Sequence, residues 1–403
     1  MGKISTIAAV DVGTASVKAM VVKHNSDKDG FDVLGRAEGI SSGMKKGGVN
    51  DVERVAKVIK RVVADVEREA GVEIENVYAN INGAHIFSTL SKGTITVSRD
   101  DQEITSDEIE RAINEAKTFS IPNNKEIKEV YPRSYTIDDE KDIKNPIGLT
   151  GVRLTADIIT VGIFVSYSRW LTEALGKANL GVVDLAIGPI VSAEAVLTTQ
   201  EKELGVVAVD FGATTTGIAV YKDESLLFTK VIPVGVHNIR NDIATGLQVD
   251  IETAELIKKK YGNSIFGDKS TKKESIRVNG RGEISFQRNQ LRKIMGDRIS
   301  QIFTAVREEI ETACPKQELP GGVVLTGGGA KIPHIKTFAQ DKIKLSCRTG
   351  APRRFFGMED NPSYSTLCGL ILYGADEEED GESRFDFGGS FVRVKKILRH
   401  FLP

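Results

Sequence analysis

Two segments of this chain carry an aspartate followed by small residues, a pattern suited to holding an anion. They read AAVDVGTASVKAMVV at residues 8–22 and VAVDFGATTTGIAVY at residues 207–221. Each is an apolar strand with an aspartate at its end, a loop of small residues and a second apolar strand. Such loops let backbone N–H groups approach a phosphate closely, and Asp11 and Asp210 would hold Mg²⁺ through water. The pattern predicts a nucleotide gripped between two facing loops.

A third glycine-rich element supports this interpretation. Gly327, Gly328 and Gly329 follow the apolar strand VVLT and precede an apparent helix. A strand, a glycine turn and a helix start together form a site for a phosphate or a ribose. One glycine-rich hairpin alone usually serves only its own turn. Because the aspartate recurs at the same offset and a third element follows, nucleotide binding is the favoured interpretation.

The composition limits the classes of protein to consider. The 403 residues are 40% hydrophobic and 27% charged, which is typical of a soluble globular protein with two or more domains. The net charge of −2 gives no general attraction to nucleic acid, and we expect no nucleic-acid partner. The spacing of Cys314, Cys347 and Cys368 predicts neither a disulfide framework nor a zinc site. No apolar stretch is long enough to span a membrane.

Periodicity divides the chain into two α/β halves with a small α+β insertion. Residues 50–70 place valines and isoleucines on one helical stripe, with Asn50 or Asp51 as the N-cap and Gly71 at the end. Further helices are expected at 237–261, 289–313 and 363–374, and a hairpin or loop at 262–283. The predicted domains are a first half (1–75 and 166–205), an inserted subdomain (76–165), and a second half (206–375) whose outer part is 237–320.

The end of the chain differs from the rest in its charge pattern. Residues 376–389 are strongly acidic and predict a disordered linker. At 100° per residue, 390–403 form an amphipathic helix too short to cross a bilayer and suited to an anionic membrane surface. Docking of this helix on its own protein is the alternative, which the acidic linker disfavours. The predicted membrane-binding residues are Phe391, Arg393, Val394, Lys395, Lys396, Ile397, Leu398, Arg399, Phe401 and Leu402.

Taken together, these motifs resemble the actin, hexokinase and heat-shock chaperone superfamily, and within it the FtsA family of bacterial cell-division proteins. The similarity runs over almost the whole chain, and its supporting stretches include SSGMKKGGVNDVE, GPIVSAEAVLT, VIPVGVHNIRNDIATGL, AELIKKKYG and VVLTGGGAKIPHI. The resemblance implies an actin-like fold: duplicated ribonuclease H-like halves around an ATP–Mg²⁺ cleft, with the FtsA-type subdomain inserted at 76–165.

The resemblance also assigns residues to the nucleotide. The first phosphate loop would be Asp11, Gly13, Thr14, Ala15, Ser16 and Lys18, and the second Asp210, Gly212, Ala213, Thr214 and Thr215. Glu255 and Lys258 would approach the ribose or base, although such a pair is also ordinary on a solvated helix face. Gly235 and His237 would line the cleft at a helix start.

Two departures from the family pattern weaken any prediction of catalysis. Relatives that hydrolyse ATP commonly have Glu before the proline where this chain has Gly188, and many have Asp where it has Gly217. Glycine has no side-chain atom to orient or deprotonate a water. Glu194 or Asp210 would have to compensate. We therefore expect ATP binding with hydrolysis that is weak or absent.

The resemblance implies an assembly role at the cytoplasmic side of the inner membrane, at the division septum. The chain would polymerise, bind the C-terminal peptide of the tubulin-like FtsZ through a surface including Arg298, and contact later division proteins. Arg292 and Lys293 would add to that surface, although surface arginines are usually only solvated. The alternatives are another actin-like scaffold, such as a chaperone or pilus-assembly ATPase, and a sugar or acetate kinase of the same superfamily.

Overall fold

The fold is taken from a computed structural model of the chain. It describes residues 6–98, 101–117, 122–262, 272–278, 282–315, 318–380, 384–387 and 390–394, with side chains omitted at 278 and from 377 onwards.

The first half is built on a mixed sheet. Its strand order is β11 (Gly181–Ile187), β6, β1, β2, β3 and β19 (Phe355–Phe356). The predicted hairpin is β1–β2, antiparallel from Thr6–Lys23 to Val12–Val17. Asp51 caps the amphipathic helix by accepting from the Arg54 N–H at 3.1 Å, and Gly71 ends it at φ 67°. The elements are β1 (Thr6–Val12), β2 (Ser16–Asn25), β3 (Gly30–Ile40), β4 (Met44–Lys45), β5 (Gly48–Val49), α1 (Val52–Ala70) and β6 (Asn76–Ile81).

The inserted subdomain has its own sheet, in the order β8-β10-β7, with β9 beside β8. A strand from the end of the chain, β21 (Ser390–Val394), pairs with β8 at the edge of this sheet. Its helix covers one face and closes a separate small core. The insertion begins later than the predicted residue 76, because β6 pairs with β1 and β11 in the sheet of the first half. Its elements are β7 (Phe87–Thr96), α2 (Ser106–Lys117), β8 (Lys125–Ile137), β9 (Glu140–Ile143) and β10 (Arg153–Phe164).

The chain then returns to the first half and crosses to the second. Two short helices follow β11, and Thr198 and Glu201 form a capping box at the start of the second one. The elements are α3 (Val165–Lys177), β11 (Gly181–Ile187), α4 (Gly188–Glu194) and α5 (Thr199–Leu204).

The second half repeats the strand order of the first: β14-β13-β12-β17-β18 matches β3-β2-β1-β6-β11. The helix predicted at 237–261 is two helices, because Gln248 adopts a left-handed conformation and Asp250 caps a new start. The elements are β12 (Val206–Phe211), β13 (Thr216–Lys222), β14 (Ser225–Ile232), α6 (Val236–Leu247), α7 (Ile251–Tyr261), β15 (Lys273–Val278), β16 (Gly282–Gln287), α8 (Arg288–Ala313), β17 (Gly322–Thr326), α9 (Ile335–Ile343) and β18 (Cys347–Thr349).

The last elements do not belong where the sequence placed them. The strand β19 (Phe355–Phe356) pairs with β3, and the helix α10 (Ser365–Asp380) packs in the core of the first half, so that half does not end at 205. Residues 376–380 continue α10 instead of starting a linker. The strands β20 (Arg384–Phe387) and β21 (Ser390–Val394) form a hairpin on β8, where a linker and the start of a helix were predicted. Residues 395–403 lie outside the described residues.

Candidate functional site

The first predicted loop is a tight turn that fixes a carboxylate at the cleft floor. The Gly13 N–H donates to the Ser16 carbonyl at 3.1 Å. The amide of Asn80, at the end of β6, donates to Asp11 Oδ1 at 2.9 Å and accepts from the Val12 N–H. Lys18 Nζ lies 3.4 Å from Asp11 Oδ2, and both side chains are largely buried. A buried pair of this kind holds its geometry before any ligand arrives.

The second loop repeats this arrangement in the other half. The Gly212 N–H donates to the Thr215 carbonyl at 2.9 Å, and Asp210 lies opposite Gly217 in the β12–β13 register. The hydroxyl of Thr366, in α10, donates to Asp210 Oδ2 at 3.1 Å. This contact is long-range, since α10 packs with the first half while Asp210 belongs to the second.

The two loops touch at their tips. Thr214 Oγ1 lies 3.0 Å from Thr14 Oγ1, which also accepts from the Gly47 N–H at 3.2 Å. Thr214 therefore joins the halves and does not line the cleft. Gly235 is also behind the surface, because the Val236 and His237 N–H groups bond to the carbonyls of Gly212 and Ala213 at 3.0 and 2.7 Å. The start of α6 thus supports the second loop from below.

The glycine turn closes the cleft next to Asp210. Gly327 has φ +79° and ψ 177°, which other residues avoid, and a Cβ there would lie 2.2 Å from Asp210 Oδ1. A Cβ on Gly329 would lie 2.4 Å from the Phe211 ring, whereas one on Gly328 would meet nothing within 4 Å. Two of these glycines are therefore required by close packing, and the third faces open space.

All three elements surround one cavity of about 670 Å³ between the halves. Apart from Thr214 and Gly235, every residue predicted for the nucleotide lines it, and the structure adds residues that were not predicted. The added residues come from strands and loops distant in sequence, and they include Arg36, Glu38, Gly47, Asn82, Asn361 and Tyr364. The run NING, residues 80–83 at the end of β6, is the sequence signal for Asn82.

The charges in the cleft are strongly coupled. Burial raises the pKa of Asp210 to about 6, and the nearby negative charge of Asp11 adds to this rise. Burial alone would lower the pKa of Lys18, but Asp11 and Glu38 outweigh it, and the pKa is raised. Two close carboxylates with a fixed ammonium suit a ligand that brings both phosphates and a divalent cation.

The far end of the cavity is less polar and carries the other predicted pair. Lys258 Nζ lies 2.7 Å from Glu255 Oε2 along α7, and both line the cavity near Met295, Ile332 and Pro333. Burial, and then the cations Arg240 and Lys258, lower the pKa of His237 to about 4, so His237 is neutral at pH 7. This end suits a ribose and a flat base.

Packing fills the two positions where hydrolysing relatives carry acids. A Cβ on Gly188 would lie 2.3 Å from the Asn82 amide, and one on Gly217 would lie 2.7 Å from the Pro189 ring. Glu194 does not compensate, because it pairs with Lys202 and accepts from the Tyr221 hydroxyl at 3.3 Å in a separate cavity. It was predicted only as a possible catalytic residue, and its place in the fold removes it from the cleft.

The basic residues predicted to form one surface on α8 lie in two different environments. Arg298 donates to both carboxylate oxygens of Asp242 in α6, at 2.5 and 2.8 Å, so it links the two helices. Arg292 and Lys293 instead line an open groove of about 550 Å³ between α8 and α9, together with Phe338 and Lys342. Three cations and the carboxylate Asp297 line the groove, so its lining carries a net positive charge.

Neither a direct metal site nor a membrane-spanning helix is present among the described residues. They contain no group of three or more His, Cys, Asp or Glu side chains placed to hold a metal directly. No helix among them is long and apolar enough to cross a membrane.

Two α/β halves of the same strand order around one cleft define the actin-like class of fold. Solved structures agree: the PilM–PilN type IV pilus biogenesis complex matches with a TM-score of 0.65 and 16% identity, covering 91% of this chain and 98% of that one. MreB5 of Spiroplasma citri bound to ADP matches with a TM-score of 0.56 and 14% identity, covering 94% and 99%.

Sequence comparisons narrow the class to a family. Family models described as "Cell division protein FtsA" and "SHS2 domain inserted in FTSA" match residues 207–369 and 83–161. Cell division protein FtsA of Pseudomonas aeruginosa is 32% identical over 96% of this chain and 93% of that protein. That of Escherichia coli K12 is 33% identical over 94% and 93%, and that of Bacillus subtilis 30% over 91% and 82%. The chain belongs to the FtsA family of cell-division proteins.

Proposed function

We propose that this FtsA-family chain binds ATP–Mg²⁺ in its central cleft and uses it to control assembly. The polymer would tether FtsZ filaments to the inner face of the cytoplasmic membrane at the septum and recruit later division proteins. The carrying observation is the convergence of two aspartate-bearing loops and a glycine turn on one cavity of about 670 Å³. A chain that only needed stable turns would not require all three at one place.

The residues present fit such a nucleotide. The N–H groups of the two loops would receive the phosphates, with Lys18 as a fixed cation, and Asp11 and Asp210 would hold Mg²⁺ through water. The space around Met295 and Ile332, with the pair Glu255–Lys258, would take the adenosine. The bound metal supplies charge neutralisation, and this chain's part is to place the phosphates between its halves.

Slow or absent turnover fits the same geometry. Neither Gly188 nor Gly217 has room for a carboxylate without moving Asn82 or Pro189. Asn82 lines the cleft and can hydrogen-bond to a water, but its amide is not a base at neutral pH. Nucleotide would thus act as a clamp between the halves, which already meet at Thr14 and Thr214.

A direct test is equilibrium binding of a fluorescent ATP analogue with and without Mg²⁺, in the parent and in Asp210→Ala. The matched control is Asp341→Ala, since Asp341 is an exposed carboxylate on α9 paired with Lys344. We expect Asp210→Ala to lose most of the Mg²⁺-dependent affinity and the control to keep it. Equal affinity in all three proteins would show that the cleft assignment is wrong.

A further inference from the structure

A second cavity, of about 180 Å³, lies where the inserted subdomain meets the first half. Its walls come from three elements far apart in sequence: Glu129 and Tyr131 on β8, Glu194 on α4, and Tyr373 and Asp376 on α10. It is separate from the nucleotide cleft, and nothing in the proposed nucleotide binding uses it.

The cavity is acidic. Glu129 is 3% exposed, yet it carries a carboxylate that accepts from the Tyr131 hydroxyl and, at 3.4 Å, from the Ile187 N–H. Among the described residues that line the cavity, three are carboxylates and none is Lys or Arg. Burial, and then the charges of Glu194 and Glu129, raise the pKa of Tyr221 well above its usual value. Lys202, which is not part of the lining, pairs with Glu194 and lies 5.2 Å from the centre of the Tyr221 ring, so Glu129 and Asp376 account for the acidity of the lining.

The chain's own C-terminal segment pairs with two of the residues that line this cavity. The backbone of β21 runs parallel to β8, with Arg393 opposite Glu129 and Val394 opposite Val130. Along β8, Val130 is followed by Tyr131, which lines the cavity, and β9 pairs with this edge of β8 only from Tyr135 onwards. The residues after Val394 include Lys395, Lys396 and Arg399. Backbone pairing and opposite charge thus point to the same occupant.

We propose that residues 390–403 dock on the β8 edge over this acidic cavity, and that this docked state competes with membrane binding. The proposal rests on the proposed membrane role of the same segment. An extended strand on β8 and an amphipathic helix in a lipid interface are mutually exclusive conformations of one sequence. Docking would keep the segment from lipid until a partner or the polymer displaces it.

The size of the effect follows from the docked fraction. If the segment is docked nine-tenths of the time, its apparent affinity for a membrane is about tenfold weaker than its intrinsic affinity. Releasing it would therefore strengthen vesicle binding by up to about tenfold without any change in the segment itself. A segment docked half of the time would give only about a twofold change.

The experiment uses the full chain with a spin label at Pro403→Cys in a Cys314→Ser background, since Cys347 and Cys368 are buried. The variant Glu129→Gln/Asp376→Asn neutralises the cavity, and Asp341→Asn is the control with the same kind of charge change elsewhere. Without lipid, we expect a more mobile label in the cavity variant only. With vesicles of phosphatidylcholine and phosphatidylglycerol, we expect that variant to need several-fold less lipid for half-maximal binding.

A second variant protects the test against damage to the domain junction. Lys395→Glu/Lys396→Glu lies in the segment and leaves the cavity unaltered, and without lipid it should free the label as much as the cavity variant does. Unchanged label mobility in both variants overturns the docking proposal, whatever the vesicles show. Label mobility that falls as protein concentration rises would assign the site to a second copy's segment and overturn intramolecular docking.

The membrane role is judged by a separate deletion. If a chain lacking residues 395–403 still binds the vesicles fully, the membrane role of the segment fails, while the lipid-free mobility measurement still decides the docking.

Discussion

Asp210 is a buried carboxyl whose negative charge destabilises the folded protein. It faces the cleft beside Asp11, and burial with that repulsion raises its pKa from 3.8 to about 6. Folding therefore makes this group bind a proton more tightly. Its effect on stability is most favourable below about pH 4 and is lost as pH rises through about 6. A cation in the cleft would relieve the same repulsion.

Replacing this carboxyl by its neutral isostere should stabilise the ligand-free protein. We expect Asp210→Asn to raise the free energy of unfolding at pH 8 by about 1–3 kcal/mol, allowing for partial solvent screening. Near pH 4 the difference from the parent should disappear, because Asp210 is then neutral as well. Urea unfolding at both pH values, without Mg²⁺ or nucleotide, measures it. The same difference at both pH values would contradict the assignment.

Among the elements, the glycine turn after β17 contains two neighbouring glycines that are constrained to different degrees. Gly327 has a conformation that is essentially restricted to glycine, and its Cβ position is blocked by Asp210. Gly328, next to it, has neither constraint. The two neighbours therefore form an internal comparison in which the chemical change is the same.

We expect Gly327→Ala to lower the free energy of unfolding by at least about 2 kcal/mol. The reasons are the positive φ and the contact of a new Cβ with Asp210. Gly328→Ala should change it little, since the added methyl group meets nothing. Thermal or urea unfolding of the nucleotide-free variants compares them directly. A Gly328→Ala loss as large as that of Gly327→Ala would show that the turn is not held as described.

The groove between α8 and α9 has a lining of net positive charge. Arg292, Lys293 and Lys342 line it around Phe338, whereas Arg298 is held by Asp242. An acidic peptide with an apolar anchor suits such a groove. We expect Arg292→Glu/Lys293→Glu to weaken binding of an FtsZ C-terminal peptide at least tenfold, by fluorescence anisotropy. Lys57→Glu/Lys60→Glu, on the exposed face of α1, should not.

That comparison also decides the role of Arg298. If Arg298→Ala alone removes peptide binding while the groove variant keeps it, the binding surface lies at the α6–α8 contact and the groove is not the site.

At the scale of the molecule, the C-terminal region joins the parts. α10 packs in the first half and contacts Asp210 of the second through Thr366, and the segment after it reaches β8 of the insertion. The insertion also touches the second half, where Ser88 donates to the Thr229 carbonyl at 3.0 Å. These contacts link the cleft, the insertion and the segment after α10.

Deleting residues 390–403 should abolish sedimentation with anionic vesicles and leave ATP–Mg²⁺ affinity unchanged, because none of the described residues among them, 390–394, lines the cleft. In the parent, sedimentation should rise steeply with polymerisation, since many weak tails on one polymer bind multivalently. Co-sedimentation and nucleotide titration on the same preparations check both parts. Undiminished sedimentation of the truncated chain would refute the tether.

The local parts of this protein could be predicted from short stretches of its sequence. Residue types a few positions apart specify the two aspartate loops, the glycine turn and the capped helix α1. These features can therefore be recognised in the sequence without knowledge of the fold. The duplicated halves and the FtsA family followed from the same motifs, and the comparisons confirm both. The nucleotide itself stays a prediction.

The features that depend on contacts between distant residues could be seen only in the folded chain. The tertiary structure broke the helix predicted at 237–261 at Gln248, returned α10 to the first half, and put Glu194 in a second cavity. It also placed the Asn82 amide where a side chain on Gly188 would lie, and paired β21 with β8 where a helix was expected. Each outcome depends on which surfaces meet after the chain folds back over hundreds of residues. Short-range sequence periodicity contains no information about those long-range contacts.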